Sequence, residues 1–136
     1  SYLAQQPPIK HLHDVSAHRF FGYVDDLVFS PALRYLSRIA PDAPMPLRST
    51  SVVAQYHAVR EGRGLAVLPC FMATQSPDLV PVLVDEIDLV RTFWIAAPGD
   101  RRELARVRAL WEFVREAVQC NQPLLMGESP QRQAIA

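Results

Sequence analysis

Residues 47–71 change their hydrophobic rhythm twice, and the rest of the chain can be placed around them. Leu47 and Arg48 run into three hydroxyl residues, Ser49-Thr50-Ser51, a composition that suits a helix start. Val52, Val53, Tyr56 and Val59 then recur at helical spacing, an apolar stripe on an otherwise polar segment. Gly62 supplies a left-handed residue to end that helix, and Gly64 frees the turn behind it. Leu65-Ala66-Val67-Leu68 follows without a polar break, the pattern of a strand covered on both faces. Strand, helix and strand in this order predict a parallel βαβ unit with a right-handed crossover.

The flanks fit around that unit. Residues 1–18 read as short helical pieces either side of Pro7-Pro8, and Phe20-Phe21-Gly22-Tyr23 as a short aromatic strand. Ser30-Pro31 is a helix start whose stripe is Leu33, Leu36 and Ile39, stopped by the prolines at 41 and 44. A helix or turn is expected over 71–74. Residues 79–83 read as a strand, held to a sheet edge because Pro81 lacks an N–H. Residues 91–95 read as another strand, and Pro98-Gly99-Asp100 turns the chain into a last helix. Leu104, Val107, Leu110, Trp111, Val114 and Val118 give that helix its apolar stripe. From Asn121 onward Gly, Pro, Gln and Ser predict a flexible tail.

Composition narrows the function. At 136 residues the chain suits one domain able to bury about two-thirds of its unfolded surface. Fourteen basic and fourteen acidic residues cancel, so no long-range field draws the chain to nucleic acid or an anionic membrane. Five arginines on the last helix are interleaved with Glu103, Glu112 and Glu116, as on a solvated face. No run approaches a membrane span and no secretory signal opens the sequence. Cys70 and Cys120 are too few for a disulfide framework, which suggests a reducing cytoplasm. His11 and His13, two residues apart, fall on different helix faces, and with His18 they lack a completing Cys or Glu, so no metal and no cofactor is expected.

The βαβ unit then suggests a site. Open α/β sheets bind ligands at the carboxyl ends of their strands. Ser49-Thr50-Ser51 and Pro69-Cys70-Phe71 are its strand-to-helix corners, and Tyr23 ends the neighbouring strand. Each corner precedes a helix start, where free N–H groups favour an anion such as a small carboxylate. From spacing alone, the plainer reading is that the hydroxyls only cap their own helix. An enzyme is the rival class. Cys70 at a helix start would be its nucleophile and His57 or His18 its base, but no Gly-x-Ser-x-Gly, P-loop or GxGxxG pattern supports one. A redox sensor through Cys70 and an interaction module without a ligand are the remaining alternatives.

Six phrases, in order, resemble the C-terminal effector-binding domain of LysR-type transcriptional regulators. They are Tyr2-Leu3-Ala4 with Pro8; His18-Arg19-Phe20-Phe21-Gly22-Tyr23; Leu47-Arg48-Ser49-Thr50; Gly62-Arg63-Gly64-Leu65-Ala66-Val67-Leu68-Pro69; Pro77-Asp78-Leu79-Val80; and Arg106-Val107-Arg108-Ala109. The resemblance runs from Tyr2 to about Val118. It implies an α/β, periplasmic-binding-protein-like (type II) fold, with a mostly parallel sheet flanked by helices and a small-molecule effector between two lobes. It further implies regulation of transcription, self-association, and promoter binding through an N-terminal winged helix-turn-helix that this sequence lacks. On that pattern residues 1–90 are lobe II, 91–120 the strand and helix returning to lobe I, and 121–136 the tail. The effector would meet Tyr23, Ser49, Thr50, Ser51, Pro69, Cys70 and Phe71. Leu104, Val107, Trp111 and Val114 would then lack the lobe I sheet they pack on, and are expected to form an oligomer contact.

Overall fold

Phe20 and Phe21 are adjacent, point to opposite faces of one strand, and are both buried. That strand, β1 (Phe20–Gly22), is the centre of a three-stranded sheet in the computed structural model, which describes residues 2–28 and 30–128. β2 (Leu47–Arg48) and β3 (Leu65–Ala66) pair with it from either side, both parallel. The strand covered on both faces is therefore β1. The 65–68 run pairs only through its first two residues and lies at an edge of this sheet, with Leu65 buried and Ala66 to Leu68 half-buried. A continuous apolar run reports burial, and burial here comes from the core below rather than from a second neighbouring strand.

The chain divides into two compact units, Ser1–Val90 and Arg91–Ala136. In the first, α2 (Val52–Arg60) links β2 to β3 and packs on β1 and β3. Ser51 caps it, its Oγ accepting from the Ala54 amide at 3.4 Å, and Gly62 ends it at φ +66°. Its buried face differs from the apolar stripe. Val53 is half exposed, whereas Gln55 is fully buried and completes the i, i+3, i+4, i+7 set Val52, Gln55, Tyr56 and Val59.

Below the sheet, Val15, Phe20, Leu36, Ile39, Ala40, Ala43 and Leu65 form one core, and each fully buried Leu, Ile or Phe stabilises the unit by about 1.5–3 kcal/mol. The helix expected from Ser30 is broken. A 3-10 turn, Pro31–Leu33, gives way at Arg34 (φ −88°, ψ 35°) before α1 (Leu36–Ile39), and the Ser30 side chain caps nothing. Leu33, Leu36 and Ile39 are buried all the same.

Two expected strands do not form. Over 79–83, Pro81 offers no donor and Leu83 turns to φ +54°, its carbonyl accepting from the Glu86 and Ile87 amides at 3.1 and 2.9 Å. That turn instead delivers Leu83, Ile87 and Leu89 to the core as packing. Over 91–95 no ladder forms among the described residues, and Phe93 and Trp94 are 69% and 88% exposed. A strand needs a neighbour as well as a propensity.

After α3 (Cys70–Ala73), a single turn as anticipated, the second unit contains α4 (Ala105–Cys120) and α5 (Gln122–Leu125). α5 occupies part of the stretch read as a flexible tail, and the last eight residues of that stretch lie outside the described ones. Leu104 sits at the α4 N-cap, and no residue of α4 is buried.

Candidate functional site

Because β1, β2 and β3 run parallel, the residues that follow them leave by one edge of the sheet. These are Tyr23 after β1, Ser49-Thr50-Ser51 after β2, and residues 67–71 after β3. With strands about 4.8 Å apart, the two outer corners stand roughly 10 Å from each other with Tyr23 between them. A ligand of one small ring or a few carbons spans that gap.

The β2 corner is pinned bond by bond. The Ser49 amide donates to the Gly22 carbonyl at 2.9 Å, tying the turn to the end of β1. Ser49 Oγ accepts from the Ser51 amide at 3.1 Å, and the Ser51 carbonyl accepts from the Gln55 amide at 3.3 Å. From inside, Gln55 Nε2 donates to the Ser49 carbonyl at 3.0 Å. Thr50 is exposed and stands at the outer tip. The amides of Thr50, Val52 and Val53 meet no acceptor among the described residues, as expected of the first N–H groups of a helix. The nearest cation in sequence, Arg48, is engaged by the Asp25 carboxylate, so attraction for an anion here rests on N–H and O–H donors.

The β3 corner is apolar by comparison. Pro69, Cys70 and Phe71 are half-buried, and the Pro69 carbonyl accepts from the Met72 and Ala73 amides at 2.9 and 3.1 Å. α3 is one turn long, too short for its peptide dipoles to sum, so of the two expected helix starts only α2 is long enough to carry a helix dipole. Tyr35 bridges the edge. Its ring stands edge-on to Tyr23 at 6.4 Å and its hydroxyl reaches the Val67 carbonyl at 3.5 Å. Tyr35, Gln55 and Asp25 were not picked out by the sequence reading. Counting the i, i+3, i+4, i+7 face of α2 finds Gln55, while nothing in the local sequence marks Tyr35 or Asp25.

The other candidates sit elsewhere. His57 is exposed on α2, edge-on to Tyr56, and His18 is fully buried with neither ring nitrogen paired among the described residues; neither hydrogen-bonds Cys70. His11 and His13 stack at 5.7 Å, and their ring nitrogens pair with Glu86 and Asp14. No metal-binding cluster occurs among the described residues. A concavity of about 270 Å³ lies among Tyr2, Gln5, Glu61, Gly62 and Arg63, at the amino edge of the sheet and away from the corners above.

A family model described as the LysR substrate binding domain matches residues 1–119. The chain belongs to this LysR family. It is accordingly a ligand-binding regulatory domain with a periplasmic-binding-protein-like fold, in a family that regulates rather than catalyses. No curated protein and no solved structure matches the chain. No helix among the described residues is long and apolar enough to cross a membrane.

Proposed function

We propose that this LysR domain senses a small anionic metabolite, most simply a carboxylate, at the carboxyl edge of β1, β2 and β3. The effector's charge sits over the amides of Thr50, Val52 and Val53 with the hydroxyls of Ser49, Thr50 and Ser51. Its apolar body rests against Tyr23 and the Pro69-Cys70-Phe71 corner. The observation that supports this reading is the parallel pairing that sends both corners to one edge, with unpaired donors at the start of the nine-residue helix α2. In the cell, a cytoplasmic regulator would use such occupancy to change how a DNA-binding part elsewhere in the molecule acts. Amide NMR of the chain titrated with sodium succinate or benzoate tests it. The shifts should concentrate at residues 49–53, and Thr50→Val should weaken binding by roughly 1.5–3 kcal/mol, the value of a hydrogen bond to a charged group. Shifts that bypass residues 49–53 count against the site.

A second role, assembly, is favoured by one observation on α4. Leu104, Val107, Trp111 and Val114 are spaced three and four apart, the seam of a helix pair. Leu104 and Trp111 remain 40% and 39% exposed, with Leu110 and Phe113 beside them at 57% and 67%. We infer that this face contributes to self-association.

A further inference from the structure

Gln55 carries a polar group where the fold asks for an apolar one. It is fully buried on the inner face of α2, in line with Val52, Tyr56 and Val59. Its Oε1 is buried without a hydrogen-bond partner among the described residues, a costly state for an amide oxygen. A Leu or Met of similar volume would pack there with no such cost. What the amide does provide is one bond, from Nε2 to the Ser49 carbonyl at 3.0 Å.

The target of that bond matters. Ser49 is the first residue after β2, and its carbonyl is a negative dipole end at the corner where the free amides of Thr50, Val52 and Val53 collect. A carbonyl turned toward the ligand edge would repel an anion and accept from a cation or a neutral donor. Bonded from within by a buried amide, the same oxygen is drawn toward the interior. The remaining bonds of the corner are Ser49 N–H to the Gly22 carbonyl, Ser51 N–H to Ser49 Oγ, Ala54 N–H to Ser51 Oγ and Gln55 N–H to the Ser51 carbonyl. None of them fixes the Ser49 carbonyl.

We propose that Gln55 is a positioning residue for the effector corner, which withdraws the Ser49 carbonyl and so sets the preference for an anion. The proposal rests on the effector reading above, although its structural half is tested independently. The experiment compares the labelled wild-type chain with Gln55→Leu and Gln55→Met by thermal unfolding, by amide exchange, and by titration with sodium benzoate. Two variants are used so that a poor fit of one apolar side chain does not decide the matter.

The expected result is an unfolding temperature equal to or above wild type, because the unpaired oxygen is gone. Exchange at Ser49 and Ser51 should quicken roughly tenfold, as for loss of one hydrogen bond, while Leu65 on β3 stays protected. Benzoate affinity at residues 49–53 should fall by a similar factor. Unaltered exchange at Ser49 and Ser51 overturns the proposal. So does a lowered unfolding temperature in both variants with protection lost across β1 and β3, because Gln55 is then only a structural residue. If wild type shows no benzoate shift at residues 49–53, the effector reading fails instead, and the exchange comparison still decides what Gln55 holds.

Discussion

Replacing Gly64 by Ala tests whether the sheet depends on a close backbone approach. A Cβ at Gly64 would sit 2.6 Å from the Arg19 carbonyl oxygen and 3.2 Å from the Arg19 carbonyl carbon. The obstacle is backbone, so no side chain can swing aside. Relief requires β3 to move away from β1, and the first bond to suffer is Leu65 N–H to the Arg19 carbonyl, now 2.8 Å. Overpacking of this kind costs about 1–3 kcal/mol, and a weakened ladder bond about 0.5–1.5 kcal/mol. A stiffer unfolded chain returns about 0.4–1 kcal/mol. The net expectation is a loss of about 2 kcal/mol, close to a 30-fold shift in the folding equilibrium and about 1 M in urea midpoint for a domain of this size. Far-UV circular dichroism is the appropriate probe, with Leu65 amide exchange as the local one, because both tryptophans, Trp94 and Trp111, lie in the Arg91–Ala136 unit. Gly99→Ala is the internal control, since a Cβ there meets no atom within 4 Å and should change stability by less than about 0.5 kcal/mol. Equal urea midpoints for the two variants would refute the reasoning.

Two further outcomes are expected. Asp14 is held below the usual carboxylate range by the His11 and Lys10 amides, and Glu86 by the Leu12 amide and the His11 side chain. Depressed folded-state values mean that this stabilisation is present above the ordinary carboxylate values, 3.8 for Asp14 and 4.5 for Glu86, and is lost as pH falls through the depressed ones; Glu86→Gln should flatten the loss in acid unfolding, and an unchanged acid limb would remove Glu86 from the account. Trp111→Asp should shift the chain toward monomer in sedimentation velocity, whereas a wild-type chain that is already monomeric removes the α4 contact.

What the sequence made legible is chemistry that acts on a residue's own backbone. Ser51 caps α2 and Gly62 takes the left-handed turn that its lack of a Cβ permits. Ser49-Thr50-Ser51 and Pro69-Cys70-Phe71 could be assigned to corners because hydroxyl, proline and glycine signals act within a few residues. Strands are different. Residues 79–83 and 91–95 have strand composition, yet pairing depends on a partner that no local pattern encodes, and Pro81 with Leu83 diverts one of them into a turn. Tyr35 was opaque for the same reason, since its hydroxyl meets Val67, 32 residues away.

Gln55 illustrates the boundary between the two kinds of information. Its position on the buried face of α2 follows from the period of the helix, so its burial was available in the sequence. Apolar identity points instead to Val53, which is half exposed, and passes over Gln55. A period locates a face, whereas residue type says only what usually occupies it. Where the two disagree, a polar group has been kept inside despite the desolvation it suffers, and the partner it keeps there is the place to look for a role. Here that partner is the Ser49 carbonyl, at the sheet edge to which all three parallel strands lead. The disagreement between period and residue type therefore converges with the topology on the same corner, although neither was derived from the other.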